Sequence, residues 1–356
     1  MNMLNKSLLA AVSLLFSVPA LAAGPAAKAT PAPLSESERY ARRCQGLAPE
    51  RGRLPQGTML WGMKGAWGPQ QGSDERSSVI LSVDLNGLRK TDAAVESLKL
   101  ENARLVASPE SSTGPVGAVL VGSSSDGKPV EVAFCGAEPA PEDPGMVWYR
   151  IEAWNTVAQV WENPCVATGL VPDPRVLAVG GVWDGSGAHQ ESLGKVTLAC
   201  ETGVITKCIR WGYKPWASRD GQSMKDLHQA CTRMARADYC GDGQSHTHEG
   251  TIIDMYDRLG VLSATTESSA DWKMSRASFE AAWVPDGAMC MSRTRDGRAI
   301  ETILNECPGR FHAGTAVDLG QGDHCTLQRE GMSPGAPLLR NRSYESQKGA
   351  TPALGK

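Results

Sequence analysis

Past its first residues the chain has no apolar run approaching the roughly 20 residues that span a bilayer. It also lacks an excess of charge, with 36 Lys and Arg against 39 Asp and Glu in 356 residues, a net of −3. The first lack excludes a later membrane-crossing helix. The second argues against a nucleic-acid partner or an anionic membrane surface, because phosphate binding needs concentrated Lys and Arg to release counterions. Familiar catalytic patterns are missing as well: there is no Gly-x-Ser-x-Gly elbow, no His-Glu-x-x-His, no Gly-rich phosphate loop followed by Lys, and no dinucleotide fingerprint. Gly185-Ser186-Gly187 is too short to mean more than a turn.

What is present belongs to a globular protein: 41% hydrophobic residues, 21% charged, and 38 Gly with 22 Pro, which implies many turns and short strands. The opening residues read as a secretory signal, with Lys6, an apolar run over 8–18 and the small-residue site Ala20-Leu21-Ala22. Residues 1–22 are therefore expected to be a signal peptide. No Cys stands at the cleavage site, so no lipid anchor is expected, and the chain is expected in the periplasm or outside the cell. All ten cysteines, Cys44, Cys135, Cys165, Cys200, Cys208, Cys231, Cys240, Cys290, Cys307 and Cys325, follow that signal. An even number in an oxidising compartment predicts up to five disulfides.

Residues 23–44 read as a Pro- and Ala-rich linker and a short helix, opened by a capping box of Ser35 and Glu38 and tethered through Cys44. Residues 45–145 carry β signals at 58–67, 79–85, 116–121 and 130–134, with Asp126-Gly127 as a hairpin turn and 92–98 as the one helical stretch. Val79, Leu81, Val83 and Leu85 alternate onto one strand face. The Pro-rich, acidic stretch 139–145 reads as a domain boundary.

Residues 146–328 form the expected second domain. Its strands are read at 146–154 and 176–183, with hairpins at 196–200/204–213 and around Pro285-Asp286-Gly287. A helix is expected from a Ser223 cap with Asp226 in its first turn, burying Leu227, Ala230, Cys231 and Met234, and a short one over 298–305. Residues 329–356, poor in large apolar groups, are expected to be a disordered tail. The fold class is thus α+β and β-rich: an all-β sandwich or barrel-like N-terminal domain, then a disulfide-stabilised α+β domain. The tryptophans read as core residues, with a sugar-binding platform as the alternative.

The stretch 231–251 concentrates the most reactive groups. Cys231 and Cys240 lie about 13 Å apart on an unbroken helix at 1.5 Å per residue, beyond the roughly 7 Å that a disulfide tolerates. Each is expected to pair elsewhere, Cys200 and Cys208 being the nearest candidates. Asp238, Asp242, Gly243 and Glu249 match places one, five, six and twelve of a calcium loop, but Cys240 and Ser245 break the pattern. A zinc set of His246, His248, Asp242 and Asp238 requires the two histidines to share a strand face. Against both stands the plainer reading, in which Asp238 and Asp242 accept backbone N–H bonds in a turn set by Gly241 and Gly243.

Ala237-Asp238-Tyr239-Cys240, with Lys207-Cys208, Trp211-Gly212-Tyr213, His228-Gln229-Ala230-Cys231 and Phe279-Glu280-Ala281 around it, resembles the ADYC domain of bacterial exported proteins. The resemblance runs from about residue 146 to 307 and implies an exported protein without naming a catalytic residue or cofactor. The expectation is a non-catalytic binding or envelope-associated protein, with no cofactor and a cell-envelope or carbohydrate ligand. The alternative is a metal-assisted hydrolase using Asp238, Asp242, His246 and His248 with zinc or calcium.

Overall fold

The computed structural model describes residues 34–46, 61–63, 78–90, 95–111, 113–247 and 251–344. The signal and linker, most of the strand expected at 58–67, His248, Glu249 and the last 12 residues lie outside them. The first described element is α1 (Glu36–Ala41), where the capping box forms as expected: Ser35 Oγ accepts from the Glu38 N–H, and the Ser35 N–H donates to the Glu38 carboxylate at 3.0 Å.

Then come β1 (Leu81–Lys90), the hairpin β2 (Ser97–Glu101) and β3 (Arg104–Ser108), β4 (Val119–Ser124), β5 (Pro129–Ala140), β6 (Asp143–Asn155), β7 (Val160–Glu162) and β8 (Val176–Gly180). After the two-residue pair β9 (Val182–Trp183) and β10 (His189–Gln190) comes β11 (Lys195–Cys200). Hydrogen-bonded order β5-β4-β1-β11-β8-β6, with β6 pairing back to β5, closes a six-stranded antiparallel barrel to which β7 is appended. Closure leaves these six strands without a free edge. Alternation fills the inside: Leu81, Val83, Leu120, Val132, Phe134, Ile151, Val196 and Leu198 share one cluster, and Leu98 and Leu105 of the β2–β3 hairpin join it. Tyr149 Oη accepts from the Leu105 N–H at 2.7 Å, and burial pushes that phenol up to about 12.

This barrel revises the domain boundary. Residues 139–145 are the tip of the β5–β6 hairpin, and strands from both sides of them belong to one barrel. Ser35 onward forms a single compact unit. Pro141 and Glu142 form the turn between the strands, and Pro139 and Pro144 stand at the exposed strand ends beside it.

A helix, α2 (Val204–Arg210), stands where a second hairpin strand was expected, packing Val204, Ile205 and Ile209 on Leu177, Val179 and Trp148 of the barrel's outer side. After the short pair β12 (Ser218–Arg219) and β13 (Gln222–Ser223) comes α3 (Lys225–Arg236). Its N-cap is Met224 rather than Ser223, and the Ser223 hydroxyl instead accepts from the Lys225 N–H at 3.3 Å. Its expected stripe of Leu227, Ala230, Cys231 and Met234 is buried against Trp283, Ala288 and Met291. Of residues 92–98, read as helical, 92–94 lie outside the described residues, 95 and 96 are irregular, and Ser97 and Leu98 begin strand β2 instead.

The second sheet holds β14 (Ile253–Asp257), β15 (Ala277–Val284), β16 (Gly287–Met291), β17 (His312–Asp318), β18 (His324–Gln328) and β19 (Leu339–Tyr344), in order β14-β19-β15-β16-β18-β17; α4 (Glu301–Glu306) lies between β16 and β17 in sequence. The expected disordered tail is thereby corrected for its first part, since β19 is an interior strand. It was hidden because its buried residues include Asn341 and Ser343, which read as exposed in sequence.

Five disulfides join the elements: Cys44–Cys135, Cys165–Cys200, Cys208–Cys231, Cys240–Cys307 and Cys290–Cys325. Cys208–Cys231 bolts α3 to α2 rather than to a hairpin, and Cys200 turns the other way to Cys165. No helix among the described residues is long and apolar enough to cross a membrane.

Candidate functional site

The four-residue motif is the C-terminus of α3. Ala237 takes a left-handed conformation at φ 51°; its N–H bonds back to Met234 O at 2.9 Å and that of Asp238 to Arg233 O at 2.9 Å, closing the helix as a Schellman turn. Asp238 is fully buried and its acceptors are taken: Arg233 Nη1 donates at 2.6 Å, and the N–H groups of Gly241 and Gly243 donate at 2.8 and 3.1 Å. Gly241 permits this turn, because at φ +72° a Cβ would stand 1.9 Å from Asp286 O on the β15–β16 hairpin.

Tyr239 stacks between Trp283 and His246, with ring centroids 5.4 and 5.5 Å away. Its hydroxyl donates to Glu280 Oε1 at 3.1 Å and accepts from the Arg295 N–H at 2.8 Å. Burial, then the Glu280 charge, hold this phenol well above its usual range. Glu280 is fully buried on β15 and accepts from Tyr239, from Arg295 Nε and Nη2 at 3.0 and 2.9 Å, from Asn341 at 2.9 Å and from Ser343 at 2.5 Å. Burial alone would raise its carboxyl; the Arg295 charge, with hydrogen bonds from Arg295 and Ser343, outweighs that and keeps it below the usual range. Arg295 also donates to the Met234 and Ala235 carbonyls at 2.8 and 3.0 Å, placing a cation at the negative end of α3. Cys240, last of the motif, is bonded to Cys307 just beyond α4.

Among the described residues, the candidate ligands Asp238, Asp242 and His246 belong to no group of three ligand atoms within 4.8 Å of one another. Asp238 is held by Arg233, whereas Asp242 is exposed and accepts, among the described residues, from the Gln244 N–H at 2.9 Å. Residues 241–247 are irregular rather than strand, so the argument that would place His248 beside His246 lapses. The His246 ring is buried between two other carboxylates, with Nδ1 3.7 Å from Asp296 and Nε2 3.2 Å from Glu306, both of which also pair with Arg298. Burial alone would raise the Asp296 carboxyl; the nearby His246 ring, a hydrogen bond from the Arg298 N–H at 3.3 Å and the Arg298 charge hold it low. Among the described residues, the one group of three His, Cys, Asp or Glu ligand atoms within 4.8 Å of one another is Cys44, Cys135 and Glu152, whose thiols are spent in a disulfide. Asp238, Asp242 and His246 are thus not among the described residues that form a three-ligand group, and His248 and Glu249, which the zinc and calcium sets also need, lie outside the described residues.

A cavity of about 310 Å³ opens elsewhere, on the second sheet, lined among others by Trp272, Met274, Phe279, Gln321, Asp323 and Arg342. Register makes Phe279 and Arg342 neighbours across β15 and β19, and Trp272 stacks on Tyr344 at 5.3 Å and 12°. Sequence reasoning missed this place because its residues come from three separated segments without a motif. It also missed the roles of Glu280 and Arg295, although an acid inside the apolar run Phe279-Glu280-Ala281-Ala282-Trp283 was a readable signal.

No curated protein and no solved structure matches the chain. The model of the ADYC domain matches residues 113–297, over half of the chain. That span takes in most of the barrel, both central helices and the buried Tyr239–Glu280–Arg295 cluster. By this match and by the motif at the end of α3, the chain belongs to the ADYC domain family.

Proposed function

We propose that this is a non-catalytic binding protein in which the ADYC motif is scaffold and a ligand is taken elsewhere on the second sheet. The observation that supports the reading is the engagement of the motif and its surroundings: the buried carboxylates of Asp238 and, behind Tyr239, of Glu280 are held by arginines, backbone N–H groups and neighbouring side chains. Glu280 accepts five hydrogen bonds and Asp238 three, and both are fully buried, so neither is presented to a metal or a substrate proton. Five disulfides support an exported protein of the periplasm or exterior, and the N-terminal signal pattern agrees with it.

The test is to purify the oxidised protein without an affinity tag, measure its zinc and calcium, and screen chromogenic ester and phosphoester substrates. The binding reading expects neither a stoichiometric ion nor turnover. Retained metal together with hydrolysis abolished by His246→Ala would overturn it in favour of the metal-assisted hydrolase.

A further inference from the structure

The cavity on the second sheet has a chemical bias that comes from which of its polar groups are already occupied. Asp323 is buried and both oxygens are engaged: Oδ1 by Arg342 Nε and Nη2 at 3.3 and 3.2 Å, Oδ2 by Tyr256 Oη at 2.6 Å and Arg340 Nη1 at 2.9 Å. Asp254, the register partner of Arg342 on β14, has both oxygens occupied by the Thr265 N–H, at 3.3 and 3.0 Å, and one also by the Thr265 hydroxyl at 2.7 Å. These two carboxylates are thus engaged, while the lining hydroxyl of Ser278 has no partner among the described residues.

Two nitrogen donors are also unengaged among the described residues. Trp272 is 7% exposed, and its Nε1, a donor only, is buried without a hydrogen-bond partner among the described residues. Arg342 uses Nε and Nη2 on Asp323 and Nη2 on Gln321 O, leaving Nη1 without a bond among the described residues. Arg342 lines the cavity, and a guanidinium edge favours a planar oxyanion over a neutral oxygen. Phe279 and the Trp272 ring give the cavity apolar walls, and Met274, 38% exposed, stands at its rim. Its volume of about 310 Å³ suits one small molecule.

We infer that this cavity binds a small carboxylate carrying one flat apolar face, its oxygens accepting from Arg342 Nη1 and its face lying against Phe279 and the Trp272 ring. The inference rests on the binding reading above and narrows it to a ligand class. It sets a carboxylate above a neutral sugar, whose hydroxyl groups would find the lining carboxylate Asp323 already occupied.

The experiment follows Trp fluorescence and calorimetry of the full oxidised protein titrated with benzoate, its neutral isostere benzamide, the cation benzylamine and methyl glucoside. Benzoate is expected to bind about tenfold or more tighter than benzamide, as loss of a charge-assisted pair implies. Arg342→Gln should erase that preference. Met274→Trp, a rim change that fills the opening without touching the Asp323 pairs, should abolish binding while the near-ultraviolet dichroism stays native. Equal binding of benzamide, or tighter binding of the amine or the glucoside, overturns the ligand class and leaves a binding protein. No binding by any of the four overturns the cavity as the site.

Discussion

Glu280 and Arg295 meet face to face in the core, with Arg295 Nε and Nη2 donating to the two carboxylate oxygens at 3.0 and 2.9 Å and both side chains at most 1% exposed. The pair sits behind Tyr239, so the family motif, the helix end and the second sheet share one buried ion pair. Breaking such a pair by removing one partner costs about 3–5 kcal/mol, a large part of the roughly 5–15 kcal/mol that holds a domain together.

Glu280→Gln and Arg295→Met should each lower stability by about that amount. Combining them should cost less than the sum of the singles, because the second change removes a charge that the first has stranded. Urea unfolding of the four proteins checks this, and additive losses would mean that the two side chains act independently.

The same carboxylate sets an acid limit. Its folded pKa lies below the usual 4.5, so its contribution is present above that value and is lost as pH falls through the folded pKa. Unfolding midpoints measured between pH 6 and 3 should drop steeply at the acid end, and Glu280→Gln should flatten that part of the curve.

His228 gives a second pH window. Buried on α3, with Nε2 3.1 Å from Ile205 O, it is held down at about 4 from 6.5, chiefly by burial, with His189 adding to the effect and the Ile205 carbonyl opposing it. The unfolded chain binds the proton first, so stability should fall as pH drops from 6.5 towards 4, by about 3 kcal/mol in all. His228→Gln should remove this slope, and titration of the His228 ring by NMR should show it neutral at pH 6.

The bridges are predicted to be complete. Denatured, unreduced protein should show essentially no free thiol, and Cys208→Ala with Cys231→Ala should cost about 3 kcal/mol for opening a loop of 23 residues. A reactive thiol at Cys240 would contradict the Cys240–Cys307 bond.

The sequence disclosed what is locally coded. The Ser35–Glu38 box, the Asp126-Gly127 turn, the hairpin around Asp286 and the α3 stripe each depend on neighbours a few residues away, and each appears where the residue types place it. What stayed hidden depends on distant partners. β-branched Val204, Ile205 and Thr206 read as strand until packing on the barrel makes them helix. Barrel closure needs β6 to find β5 across an acidic, Pro-containing tip that looks like a linker. Polar β19 gains its place because Asn341 and Ser343 satisfy Glu280. At the candidate site the turn of Asp238 around Gly241 and Gly243 was readable, whereas its guanidinium partner was not, since nothing local marks Arg233 as buried.

Asp238 carries the central claim that the motif is scaffold. Its direct test is equilibrium urea unfolding of Asp238→Asn beside the unsubstituted protein at pH 7. The account predicts about 3 kcal/mol or more of lost stability, because Arg233, with a side chain 2% exposed, is left without its anion. An unchanged midpoint, in a variant that nonetheless loses activity or ligand binding, would contradict it and return Asp238 to a functional role.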